Sequence, residues 1–204
     1  MQVSRLIEDI VETLVVHRLN ENLQMLGIRC LHILSSVPQI LENVANAGGG
    51  IGVEVIIRAM LDNLENINTD VGVCLQRLCC SALLHICRDT SANLLLVVIG
   101  CVSTLAKFLE KYPTDVATLV MRLLIEICRN LPKDKDNFPV RLQMDTQMRQ
   151  VWKILHDKKL ADARPYALMC EIIYILTDGA SAGSPQSLRQ CNRRCRDSEF
   201  CRSA

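Results

Sequence analysis

The chain has 204 residues, of which 50% are hydrophobic, 22% charged and only 3% aromatic. That balance excludes intrinsic disorder over most of the length, argues against a β-sandwich and leaves few rings on which nucleic-acid bases could stack. With 23 basic and 22 acidic residues the formal net charge is +1, so no global field draws the folded part to DNA, RNA or anionic lipid.

The first predicted element, over 6–19, sets Ile7, Ile10, Val11 and Leu14 at the spacing of an amphipathic helix. Asn20, Glu21 and Asn22 supply a turn before a second helix over 23–35. Pro38 then opens a short helix over 40–47, which Gly48, Gly49 and Gly50 end because glycine takes left-handed backbone conformations. Val53, Ile56, Ile57, Met60, Leu61 and Leu64 form the next apolar stripe. After a linker over 63–70, Thr69 or Asp70 stands ready to cap a helix that runs to about residue 88 by accepting from its free N–H groups. A short segment over 93–99 stops at Gly100. The uncharged run 90–106 imitates a membrane span in composition. It is shorter than the roughly 20 residues a bilayer requires, and Gly100 breaks it, so a buried helix, a turn and a second helix are expected.

The next stripe uses Val102, Leu105, Ala106 and Leu109, and a turn over 111–114 leads into a helix over 116–130. A charged loop over 132–136 follows, and Pro139 is expected to keep it from becoming helix. Met148, Val151, Trp152 and Leu155 mark a further helix, and Pro165 suits the first turn of a last one ending at Asp178 and Gly179. From residue 181 the composition turns to Ser, Arg and Cys without periodicity. The expected organisation is one helical domain over 1–180 and a disordered tail over 181–204.

Four helices carry one six-residue theme: Leu31-His-Ile-Leu-Ser-Ser36, Leu84-His-Ile-Cys-Arg-Asp89, Ile125-Glu-Ile-Cys-Arg-Asn130 and Ile173-Tyr-Ile-Leu-Thr-Asp178. Their first residues lie 53, 41 and 48 positions apart, the period of a stacked helical repeat. The stretch Ser81-Ala-Leu-Leu-His-Ile-Cys87 resembles the third helix of the armadillo repeat, and Val55-Ile-Ile-Arg-Ala-Met-Leu61 resembles its second. HEAT repeats are near relatives of that family. Over residues 5–179 the resemblance implies an all-α, right-handed superhelical solenoid of about four repeats.

Armadillo proteins place an asparagine of the third helix on the concave face, where it holds the backbone of an extended peptide. The matching positions here are His32, His85, Glu126 and Tyr174, none of them asparagine. One turn earlier, where such proteins often place tryptophan, this chain has Ile28, Ser81, Arg122 and Cys170. The ladder that grips basic nuclear-import peptides is therefore missing. The candidate binding residues are His32, Ser81, His85, Arg122, Glu126 and Tyr174, as polar positions on otherwise apolar helices; the bland alternative is semi-exposed sites that tolerate polarity.

Eleven cysteines lie in the chain, most within apolar helical runs, where a reduced thiol acts as a small hydrophobe. The odd count and the charged start of the chain, with Arg5, Glu8 and Asp9, fit a reduced intracellular protein, cytoplasmic or also nuclear. His85 and Cys87 point apart on a helix, and paired CxxC knuckles are absent, so no metal is expected. The tail cysteines Cys191, Cys195 and Cys201 lie among arginines that lower thiol pKa. No GxSxG elbow, P-loop or dinucleotide fingerprint occurs.

The expected function is a non-catalytic scaffold or adaptor that binds a protein partner through the concave surface, without cofactor, small-molecule substrate, nucleic acid or transmembrane segment. Self-association through uncapped repeat ends is also expected. The alternative is a regulatory repeat segment, or short isoform, of a larger signalling protein whose catalytic domain lies elsewhere.

Overall fold

A computed structural model of the chain describes residues 2–64, 69–88, 96–97, 100–111, 116–131, 138–157, 167–172 and 175. Among the described residues there is helix and turn but no strand, so the protein is all-α as expected. The helices are α1 (Gln2–Val16), α2 (Glu21–Ser35), α3 (Pro38–Asn46), α4 (Ile51–Asp62), α5 (Asp70–Ile86), α6 (Cys101–Lys111), α7 (Ala117–Arg129) and α8 (Phe138–Asp157). A single 3-10 turn, Ala47–Gly49, joins α3 to α4, and residues 167–172 are helical again. The predicted tail over 181–204 and the predicted helix end at Asp178 lie outside the described residues.

Local chemistry accounts for the boundaries. Asn20 caps α2, its side-chain oxygen accepting from the Leu23 N–H at 3.1 Å. Of the two candidate caps for α5 it is Thr69 that serves, accepting from the Gly72 N–H at 3.0 Å. Pro38 stands in the first turn of α3, where its missing N–H would have had no partner. At Gly50 the backbone is left-handed, with φ 99°, and the chain axis bends by 82° between the two flanking helices. Gly52 permits a close approach, since a Cβ there would meet the Val44 carbonyl oxygen at 2.3 Å. No single helix among the described residues is long and apolar enough to cross a membrane.

Two boundaries differ from expectation. Pro139 does not exclude helix; it sits in the first turn of α8, which begins at Phe138 and so starts well before the Met148 stripe. The first turn of a helix tolerates proline because its N–H groups have no intrahelical acceptor. Helix α1 ends at Val16 instead of Leu19, which leaves Leu19 86% exposed in the turn. Leu61, expected on the apolar stripe of α4, is also exposed.

Packing follows a repeated plan. Helices α2, α5 and α7 lie side by side in that order, and α1, α4, α6 and α8 form a second series. Each series is tied to the other through α1–α2, α4–α5 and α6–α7. Close packing at the α1–α2 crossing depends on Gly27, where a Cβ would run into the Leu14 side chain. One polar device recurs: buried Gln24 of α2 donates to the Leu14 carbonyl in the last turns of α1 at 2.8 Å, and buried Gln76 of α5 donates to the Met60 carbonyl of α4 at 3.0 Å. Both occupy carbonyls near a helix end that have no complete intrahelical pairing. Asn130 extends such ties between successive units by donating to the Cys87 carbonyl at 3.0 Å.

The repeated theme occupies different environments along the stack. Cys79, Leu83 and Ile86 of α5, and Val120, Leu124 and Ile127 of α7, are all at 0% exposure because a preceding helix of the same series covers them. The matching face of α2 carries Leu26, Cys30 and Ile33, and it is open, with Leu26 58% and Ile33 57% exposed. Identical residues at equivalent repeat positions should therefore differ in energetic weight. Ile86→Ala or Ile127→Ala is expected to cost about 2–5 kcal/mol in urea unfolding, whereas Ile33→Ala should stay within about 0.5 kcal/mol. Gly52→Ala should destabilise by about 1–3 kcal/mol, because backbone must shift to admit the methyl group.

Candidate functional site

Helices α5 and α7 are buried on the flanks they present to their neighbours, so each keeps only a narrow polar strip. On α5 that strip runs through Cys74, Arg77, Ser81, His85 and Arg88; on α7 it runs through Arg122, Glu126 and Arg129. The i, i+4, i+7 spacing puts the residues of each strip on one helix face. Because the theme recurs in register, the strips align with His32 of α2 across the helix series.

Together they line a cleft of about 520 Å³, bordered by His32, Ser81, His85, Arg122 and Glu126. Five of the six residues expected from sequence are thus neighbours at one site. Tyr174, the sixth, lies outside the described residues. The sequence reading had overlooked Arg88 and Arg129, which occupy the fifth place of the theme in its second and third copies and also line the cleft. Their recurrence three residues after His85 and Glu126 was the available signal. Glu171 and Leu168, from the helical residues 167–172, close the far side, and no sequence spacing pointed to them.

The charges within the cleft are not equivalent. Arg129 binds Glu126 at 2.8 Å through one guanidinium nitrogen and Glu171 through the other, so both carboxylates share a single cation. Arg88 and Arg122 are exposed, and neither guanidinium has a carboxylate partner among the described residues. The His32 and His85 rings lie 5.5 Å apart at an interplanar angle of 40°. Nδ1 of His85 is shut from solvent and has no hydrogen-bond partner among the described residues. Burial lowers the His85 pKa below the ordinary histidine value, with Arg88 and then His32 adding repulsion. His32, His85 and Arg129 stand in the last turns of their helices, where the partial negative charge of the helix end favours cations.

The cysteines divide into two environments. Burial pushes the thiols of Cys80 and Cys87 up to about 12, with Glu126 contributing at Cys87. It also raises those of Cys79, Cys101 and Cys128. Cys30 and Cys74, in contrast, are exposed although both lie in apolar helical runs. No group of three or more His, Cys, Asp or Glu among the described residues is placed to hold a metal ion. At about pH 8, maleimide labelling of the native chain followed by peptide mapping should modify Cys30 and Cys74. Cys79, Cys80, Cys87, Cys101 and Cys128 should become reactive only on unfolding.

No family model, curated protein or solved structure matches the chain, so the likeness to armadillo repeats rests on the repeated residues alone.

Proposed function

We propose that the chain is an armadillo- or HEAT-like solenoid of about four repeats that acts as a non-catalytic scaffold, holding a segment of a partner protein in the cleft across α2, α5 and α7. The helix pairs α1–α2, α4–α5, α6–α7 and α8 with residues 167–172 are the four units of this reading. The observation that carries it is the alignment of His32, Ser81, His85, Arg122 and Glu126, drawn from successive copies of the theme and the helical turn before it, along one cleft. A row of polar side chains repeated on parallel layers suits an extended segment, which offers side chains and backbone groups at regular intervals. The cleft's described carboxylates are already paired with Arg129, which favours recognition over acid–base catalysis.

The test is affinity capture with mass-spectrometric identification, comparing the unaltered chain with His85→Ala/Arg122→Glu and with a control altered away from the cleft, Arg149→Ala. Recovery of the principal partners should fall about tenfold or more in the cleft variant, a loss of about 1.4 kcal/mol, and persist in the control. Equal recovery from all three proteins, each shown to be folded by circular dichroism, would remove the cleft from partner binding.

A further inference from the structure

We infer that the segment received by the cleft is acidic, and that carboxylate side chains on it seat between Arg88, Arg122 and the His32–His85 pair. This rests on the cleft being the docking surface proposed above. The argument is one of charge accounting. Among the described residues the cleft has two carboxylates, Glu126 and Glu171, and Arg129 already engages both, which weakens their pull on a lysine or arginine from a partner. Arg88 and Arg122 keep their full donor capacity, each with a planar guanidinium that matches a carboxylate edge. Among the described lining residues, three arginines against two glutamates leave one net positive charge before either histidine takes a proton.

The histidine pair adds a pH response. His85 faces His32 of α2 and Arg88 of its own helix, with Arg122, Glu126 and Arg129 of α7 and Glu171 of residues 167–172 along the same cleft. Desolvation and the neighbouring cations hold its proton off in the free protein. A carboxylate arriving beside the two rings reverses that balance, since it offsets repulsion between imidazolium groups and favours proton uptake. Affinity for an acidic segment is then greatest below the ordinary histidine range and declines as pH rises through it. The segment's own Asp and Glu stay ionised down to about pH 4.3, which leaves a window of about pH 5–7. Nucleic acid is the poorer occupant. Among the described residues no tryptophan, tyrosine or phenylalanine lines the cleft for base stacking, and Glu126 and Glu171 interrupt its positive charge.

Fluorescence anisotropy with a labelled peptide of alternating Glu and Ser tests this, alongside a Lys–Ser peptide and a single-stranded oligothymidylate. The acidic peptide should bind best. Arg88→Glu/Arg122→Glu, both changes at exposed positions, should weaken it about tenfold, a modest figure because carbonyls at the helix ends offset part of the field. Binding should be several-fold tighter at about pH 6 than at about pH 8, and His32→Gln/His85→Gln should flatten that response. Absence of acidic-peptide binding, equal binding of the Lys peptide, tighter binding of the oligonucleotide, or indifference to the arginine reversals would overturn the inference. If the cleft variant loses its captured partners while the acidic peptide fails to bind, the docking role stands and the acidic character falls. If partners are retained as well, both fall.

Discussion

A helix covered on two flanks has one strip left for water, and α5 is in that position. Leu75, Gln76, Cys79, Cys80, Ala82, Leu83 and Ile86 are all at 0% exposure between α2, α4 and α7. The burial of these small and branched side chains is the main favourable term for the stack, since apolar surface removed from water stabilises at about 25 cal/mol per Å². It also decides where function can reside. Ser81, His85 and Arg88 are left on the remaining strip, and neighbouring helices built to the same pattern leave theirs alongside it. The candidate site is thus a by-product of how the core is filled.

Electrostatics then differentiates groups that the core merely leaves exposed. Arg129 binds α7's own Glu126 and reaches across to Glu171, which fastens one side of the cleft to the next helical segment. Its single charge offsets part of the field of both carboxylates, and Arg88 and Arg122 are the arginines left for a visiting chain to meet. Such partly exposed ion pairs contribute little to stability, about 0–1 kcal/mol each. Their importance lies in which charges they remove from competition.

Much of this was legible in the residues. The 53- and 41-residue spacings placed His32, His85 and Glu126 at equivalent positions, and equivalence in sequence became adjacency in space. The cap at Thr69 and the left-handed Gly50 followed from local backbone chemistry, whereas Asn20, expected only as part of a turn, also caps α2. What could not be read was anything set by a distant neighbour. Ile33 and Ile86 stand at the same point of the same theme, yet one is open and the other sealed, because α2 of the same helix series packs beside α5. The Arg129–Glu171 pair spans 42 residues with no spacing rule to announce it. Pro139 misled because the same ring that breaks a helix interior is welcome in a first turn, and only the start of α8 distinguishes the two. Cys30 and Cys74 lie in apolar runs but on the faces that packing does not reach.

The order of helix contacts has a kinetic consequence. Among the described residues the main pairings join elements close together along the chain, such as α2 with α5, α5 with α7 and α6 with α8. Each closes a loop of about 40–50 residues, and the entropy of closing a loop rises only slowly with its length. Structure can nucleate in the α4–α5 region, where burial is densest, and spread outward in both directions. Loss of order under stress should run the opposite way, fraying from the open flank of α2 while the middle holds.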